Sequence, residues 1–166
     1  MTNRPKHLTD EMKLAAAKAT AADLLKDGQI EAYQFDDSVA NLAKHGRLHI
    51  DGYALAKYLD NYCGWEIDAQ MVETLDGFSW HAQHEVDVAE KAWAEATKPV
   101  PPHGIGTRVS IDSFNGPQTG TIDGIYEYGP AKYTVKIDGD KQAGFPMNAR
   151  RIVNFEDAKL IPEKVS

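Results

Sequence analysis

Between Gly104 and Phe155 the chain reads GIGTRVSIDSFNGPQTGTIDGIYEYGPAKYTVKIDGDKQAGFPMNARRIVNF, and no other stretch limits the fold as strongly. Short runs alternate apolar with polar residues, and Gly and Pro separate the runs. Alternation with period two marks a strand with one buried face. Thr107 to Asp112 is the first such run, with Val109 and Ile111 on one side. Thr119 to Tyr126 is the second, with a bend expected at Gly124, where the missing side chain lets a strand kink or bulge. Tyr133, Val135 and Ile137 carry the third. Phe145 to Met147 reads as a fourth, Asn148 to Arg151 as one helical turn, and Ile152 to Phe155 as the closing strand. Asn115-Gly116-Pro117, Tyr128-Gly129-Pro130 and Asp138-Gly139-Asp140 supply the turns. Five short strands in about fifty residues suit a closed or half-closed barrel, which hides its edges.

The order of these signals is specific at a few positions: Gly106 with Val109, Gly120 with Ile122, Tyr133 with Val135, and the turn before Ile152. On these residues the stretch resembles the SH3-like barrels, which include the tudor and KOW domains and the plasmid-borne type II dihydrofolate reductases. The resemblance covers about a third of the chain, and it implies packing more firmly than function. Tudor-like barrels hold modified cations in aromatic cages, and KOW-like barrels bind RNA or protein through their turns. Both comparisons imply a role for the rim residues Phe114, Tyr126 and Tyr128, with Arg150 and Arg151 nearby. Tyr133 and Phe145 fit the core instead. The reductase comparison rests on GIGTRV, GTIDGIY and the pair Phe145-Pro146, and it implies a tetramer with reduced nicotinamide and dihydrofolate in a central pore. The pore-lining glutamine, isoleucine and tyrosine of that family fall here on Ala143, Gly144 and Phe145, and Ser110 to Asn115 contains no Lys or Arg.

Residues 1 to 98 carry a helical pattern and most of the charge. They hold 10 Lys and Arg against 17 Asp and Glu, a net of −7, whereas residues 99 to 166 hold 8 against 8. An acidic surface of this kind repels nucleic acid and suits a partner with a basic surface. Residues 1 to 8 read as a loose arm. Thr9 caps a helix that runs to about Lys26 and stops at Gly28, with Met12, Ala15, Ala19 and Ala22 as its apolar face. Asp36-Asp37-Ser38 offers a cap for a helix through His45. Asp51 or Gly52 opens a helix over Tyr53 to Tyr62, ended by Gly64. Asp68 caps a short helix to about Leu75, Gly77 breaks it, and Ser79 caps a last helix from Trp80 to Thr97. Pro99, Pro101 and Pro102 form a stiff linker over residues 99 to 103. The tail from Glu156 to Ser166 is expected to pack only lightly on the barrel or to stay mobile.

The fold class is therefore α+β: an acidic α-helical domain over residues 9 to 98, then an SH3-like five-stranded β-barrel over residues 104 to 155. The single cysteine, Cys63, and the absence of an apolar leader in MTNRPKHLTDEMK fit a cytoplasmic protein. No run approaches a membrane span.

Chemistry is sparse in the pattern. His81, His84 and Glu85 share a helical face and are the candidate metal ligands, but the spacing is not that of the His-Glu-x-x-His zinc enzymes. His45 and His49 flank Gly46 at a helix end. The helix pair ending in DAQMVETL resembles a helix-turn-helix, yet its second member has Asp68 and Glu73 and no Lys or Arg to meet phosphates. There is no phosphate-binding glycine loop and no paired-cysteine site, so no cofactor is expected. The expected function is that of a non-catalytic interaction protein, working through the acidic helices, the barrel rim or both. A phage- or plasmid-borne accessory that occupies a basic nucleic-acid groove in a host complex has this character. The alternatives are a type II reductase-like enzyme with an altered site and a nucleic-acid-binding barrel.

Overall fold

In the computed structural model, residues 3–114, 116–139 and 149–162 are described. The chain divides into two units, Met1–Trp93 and Ala94–Ser166.

The first unit is helical. Helix α1 (Asp10–Lys26) begins where Thr9 caps it, the Thr9 Oγ1 accepting from the Met12 N–H. Its buried residues are Ala16, Ala17, Thr20, Ala21 and Leu24, so the face is rotated from the expected Met12–Ala15–Ala19–Ala22 line. An alanine-rich helix has almost no contrast between its sides, and tertiary contact decides which side is covered. Thr20 tolerates burial because its hydroxyl donates to the Ala16 carbonyl at 2.9 Å.

Helix α2 (Phe35–His45) follows a 3₁₀ turn, Ala32–Gln34. Asp36 and Asp37 lie in its first turn and Ser38 is buried, so none of the three is the cap. Helix α3 (Gly52–Cys63) is capped by the Asp51 carboxylate, which accepts from Ala54 N–H, and ends at Gly64 in the left-handed conformation. Leu55, Ala56 and Leu59 are its buried side.

Helix α4 runs without interruption from Ala69 to Thr97, in place of the two helices expected from Gly77 and Ser79. A glycine inside a helix costs about 1 kcal/mol, which packing readily offsets. Phe78, next to Gly77, is fully buried, and burying a side chain of that kind stabilises by about 1.5–3 kcal/mol. The Ser79 hydroxyl donates to the Leu48 carbonyl at 2.8 Å and so is spent on a tertiary contact. The stretch expected as a loose arm is held at Arg4, which is buried, pairs with Glu90 and lies 4.8 Å from the centre of the Trp93 ring.

The second unit is a five-stranded antiparallel sheet: β1 (Arg108–Ile111), β2 (Gln118–Ile125), β3 (Lys132–Ile137), β4 (Arg150–Asn154) and β5 (Lys159–Leu160), in the order β4-β3-β2-β1-β5. Among the described residues, β4 and β5 are the two edges. The register between β2 and β3 shifts between Ile122 and Gly124, the bulge expected there. Val109, Ile122, Tyr133 and Val135 are fully buried at the centre of the core. Tyr133 keeps its polar end satisfied: its hydroxyl accepts from the His103 N–H at 2.8 Å and donates to the His103 carbonyl at 2.9 Å.

Two expectations for this unit are corrected. Arg150 and Arg151 open strand β4 and are not part of a helical turn. The tail supplies an edge strand, because Lys159 and Leu160 pair with Ser110 and Val109. The strand expected over Phe145 to Met147, together with Ala143, Gly144 and Pro146, lies outside the described residues.

Two glycine substitutions separate these packing arguments. Gly77 has no atom within 4 Å of where a Cβ would sit, so Gly77→Ala should stabilise the chain by up to about 1 kcal/mol. At Gly52 a Cβ would lie 2.3 Å from the Val72 carbonyl oxygen, a backbone atom that cannot step aside. Gly52→Ala should therefore cost about 1–3 kcal/mol. Thermal unfolding followed by circular dichroism measures both, with opposite signs expected.

Candidate functional site

The antiparallel order places the β1–β2 turn at one end of the sheet and the β2–β3 connection at the other. This separates the rim residues expected to act together. In the β1–β2 turn, Gly116 adopts a positive φ of 100° and its N–H donates to the Ser113 carbonyl. Phe114, in that turn, is completely exposed. It lines a groove of about 420 Å³ whose other wall is β4, with Arg151 and Val153. The two residues are 37 positions apart in sequence.

Charge in the groove is partly neutralised. The Lys159 Nζ donates to Asp112 at 2.8 Å, and that hydrogen bond raises the Lys159 pKa. Asn154 donates to Asp157 at 2.8 Å. Arg151 makes no side-chain hydrogen bond or ion pair among the described residues. The Gln118 side-chain oxygen, in the same groove, is buried without a partner among them. Among the described residues, the groove thus offers an exposed ring, an unpaired guanidinium and an unpaired acceptor.

Arg150 is committed elsewhere. Neighbouring strand residues face opposite sides of a sheet, and Arg150 donates from Nε to Asp123 on the side away from Arg151. Burial pushes the Asp123 carboxyl up, but hydrogen bonds from Arg150 and Thr134 outweigh it and hold it below the usual range. Along the same side, Arg108 forms a two-pronged pair with Asp138, and Thr119 donates to the same carboxylate at 2.9 Å. Those bonds, the Arg108 one foremost, hold Asp138 at about 2. Tyr126 and Tyr128 meet edge to face with ring centres 5.7 Å apart in the β2–β3 connection. Of the five expected contact residues, then, Phe114 and Arg151 share one groove, Tyr126 and Tyr128 pair with each other, and Arg150 stands alone.

In the helical unit, His81, His84 and Glu85 sit within α4, not at a helix start. His81 Nε2 lies 2.8 Å from Asp23 Oδ2, and His84 stacks on Trp80 with ring centres 5.8 Å apart. No cluster of three metal-binding side chains occurs among the described residues. His45 stacks with Tyr58 and Tyr62. Burial first, then Lys44 and Arg47, lowers its pKa below the ordinary histidine value.

The fold also gathers groups that no periodicity announces. Asp23 of α1, Asp27 just past its end and Glu73 of α4 line one shallow groove of about 400 Å³, with Lys26 beside them. A larger cleft, of about 520 Å³, lies among α2, the end of α3 and the start of α4. Among the described residues no helix is long and apolar enough to cross a membrane. Compared with protein-family models, with curated proteins and with solved structures, the chain finds no match.

The Arg108–Asp138 pair makes a direct prediction. Asp138 is held near 2 by Arg108 and Thr119, against about 3.9 for an unpaired aspartate. Its contribution to stability is present above the unfolded value and is lost as pH falls through the folded one. Arg108→Ala should bring the Asp138 midpoint back toward the ordinary value in a carboxyl NMR titration. It should also shrink the loss of thermal stability between about pH 4 and pH 2.

Proposed function

We propose that this chain is a non-catalytic interaction protein whose sheet unit works as an SH3-like barrel. Its contact surface is the groove between Phe114 and Arg151, and its ligand is a segment of another protein. The observation that carries this reading is the juxtaposition, across a groove, of a wholly exposed aromatic ring with an arginine that is unpaired among the described residues. Aromatic and arginine side chains are the anchors that dominate binding energy at protein interfaces. The free guanidinium favours a carboxylate on the partner, and Phe114 favours an apolar side chain beside it. Strand pairing of Arg151 with Val135 fixes the backbone under the cation, so little order has to be gained on binding. Capture on the immobilised chain tests it. Phe114→Ala and Arg151→Ala should each reduce retention of the bound protein by about tenfold or more, while Tyr33→Ala, at an exposed site on the other unit, should leave it unchanged. Equal capture by all four proteins would contradict the groove as the contact surface.

A second reading follows from the acidic groove of Asp23, Asp27 and Glu73, which favours a partner with a basic surface. Contacts of that kind weaken with salt, since exposed charges are screened over about 10 Å at 0.1 M. Reversing the three carboxylates to lysine should abolish the salt-sensitive part of the binding and leave the part that depends on Phe114. Salt-insensitive binding unchanged by the triple reversal would exclude the acidic groove.

A further inference from the structure

We propose that the helical unit binds an uncharged nucleobase or nucleoside in the cleft lined by Gln29, Ser38 and Trp65. The cleft measures about 520 Å³, within the range of small-molecule sites. It is built by segments far apart in the chain: the residues just after α1, the first half of α2, and the turn that follows α3. Gly64, at a φ of 68°, turns the chain so that the Trp65 N–H bonds back to the Leu59 carbonyl. That turn sets the half-buried Trp65 on the cleft wall.

The polar lining is what selects a ligand. The side-chain oxygen and nitrogen of Gln29 are both buried and neither has a hydrogen-bond partner among the described residues. Buried polar atoms in folded proteins are nearly always paired, so an amide left unpaired at both ends calls for a reason. A ligand that presents a donor and an acceptor side by side satisfies such an amide, and the edge of a nucleobase does so. The buried Ser38 and the half-buried Asn41 add further neutral hydrogen-bonding groups. Trp65 offers a face on which a planar base can stack.

Charge narrows the class. The exposed carboxylates of Asp37 and Glu66 line the cleft, and no Lys or Arg is among the described residues that do. A phosphate would be repelled, so the ligand is the base or nucleoside and not the nucleotide.

Cys63 makes the test direct, because it is the only cysteine in the chain and lines this cleft. The rate at which a maleimide alkylates the full chain is measured with each of the four common nucleosides, with their 5′-monophosphates, and with a simple lactam. At least one nucleoside should slow alkylation several-fold, and its monophosphate should not. No protection by any nucleoside would overturn the proposal. Equal protection by the monophosphate or by the lactam would overturn the assignment to a neutral base. A second measurement separates a ligand-binding amide from a structural one. Gln29→Leu removes an unpaired buried amide, so it should raise the melting temperature while abolishing protection. A lower melting temperature would mean that the amide is satisfied in the folded chain and serves structure alone.

Discussion

The helical unit depends on how closely α4 approaches the segment between α2 and α3. At Gly46 the space a Cβ would take is filled by the Phe78 ring, whose Cζ lies 2.0 Å from that position. At Gly52 it is filled by the backbone of Val72 and Asp76, and the Asp76 carboxylate accepts the Gly52 N–H at 2.8 Å. Two glycines on one side therefore admit one aromatic ring and one turn of helix on the other. Leu55, Leu59, Leu75 and Phe78 become fully buried around this contact. It also accounts for the unbroken course of α4: Phe78 anchors the helix beside the glycine that local propensity marks as its end.

The sheet unit rests on a smaller anchor of the same kind. Gly120 lets β3 come close, since a Cβ there would lie 2.5 Å from the Lys136 carbonyl oxygen. Tyr133 fills the core, packs on Phe155 with ring centres 4.4 Å apart, and holds His103 by two hydrogen bonds. One face of the sheet is thereby consumed by packing and the other by the Arg108–Asp138 and Arg150–Asp123 pairs. What is left over is at the turns and edges, where Phe114 and Arg151 face solvent. Turn and edge residues of this kind are the ones that packing leaves accessible.

Much of this was legible in the sequence wherever a local rule has a strong physical cause. Thr9 caps its helix, Asp51 or Gly52 marks the start of another, Gly64 ends that one with a positive φ, and Tyr133, Val135 and Ile137 alternate into the core. The bulge at Gly124 was readable for the same reason. Elsewhere a distant contact outweighs a local preference. Gly77 and Ser79 look like a break and a cap, but Phe78 and the Leu48 carbonyl decide the matter. Lys159 and Leu160 have no strand signature, and β1 alone gives them one. The candidate sites were less legible still. Phe114 and Arg151 could each be singled out, but their meeting across a groove depends on strand order. Asp23 and Glu73, or Gln29 and Trp65, share no pattern at all.

The Phe114–Arg151 groove is the proposed meeting place of this chain with a protein partner. The most direct measurement places a photo-crosslinking phenylalanine analogue at position 114, and separately at position 33, and identifies the products formed in a lysate of the source cells. A single protein captured from position 114, absent from position 33 and suppressed when Arg151 is changed to alanine, is the predicted result. The same products from both positions, or products from position 114 that are indifferent to Arg151, would contradict it.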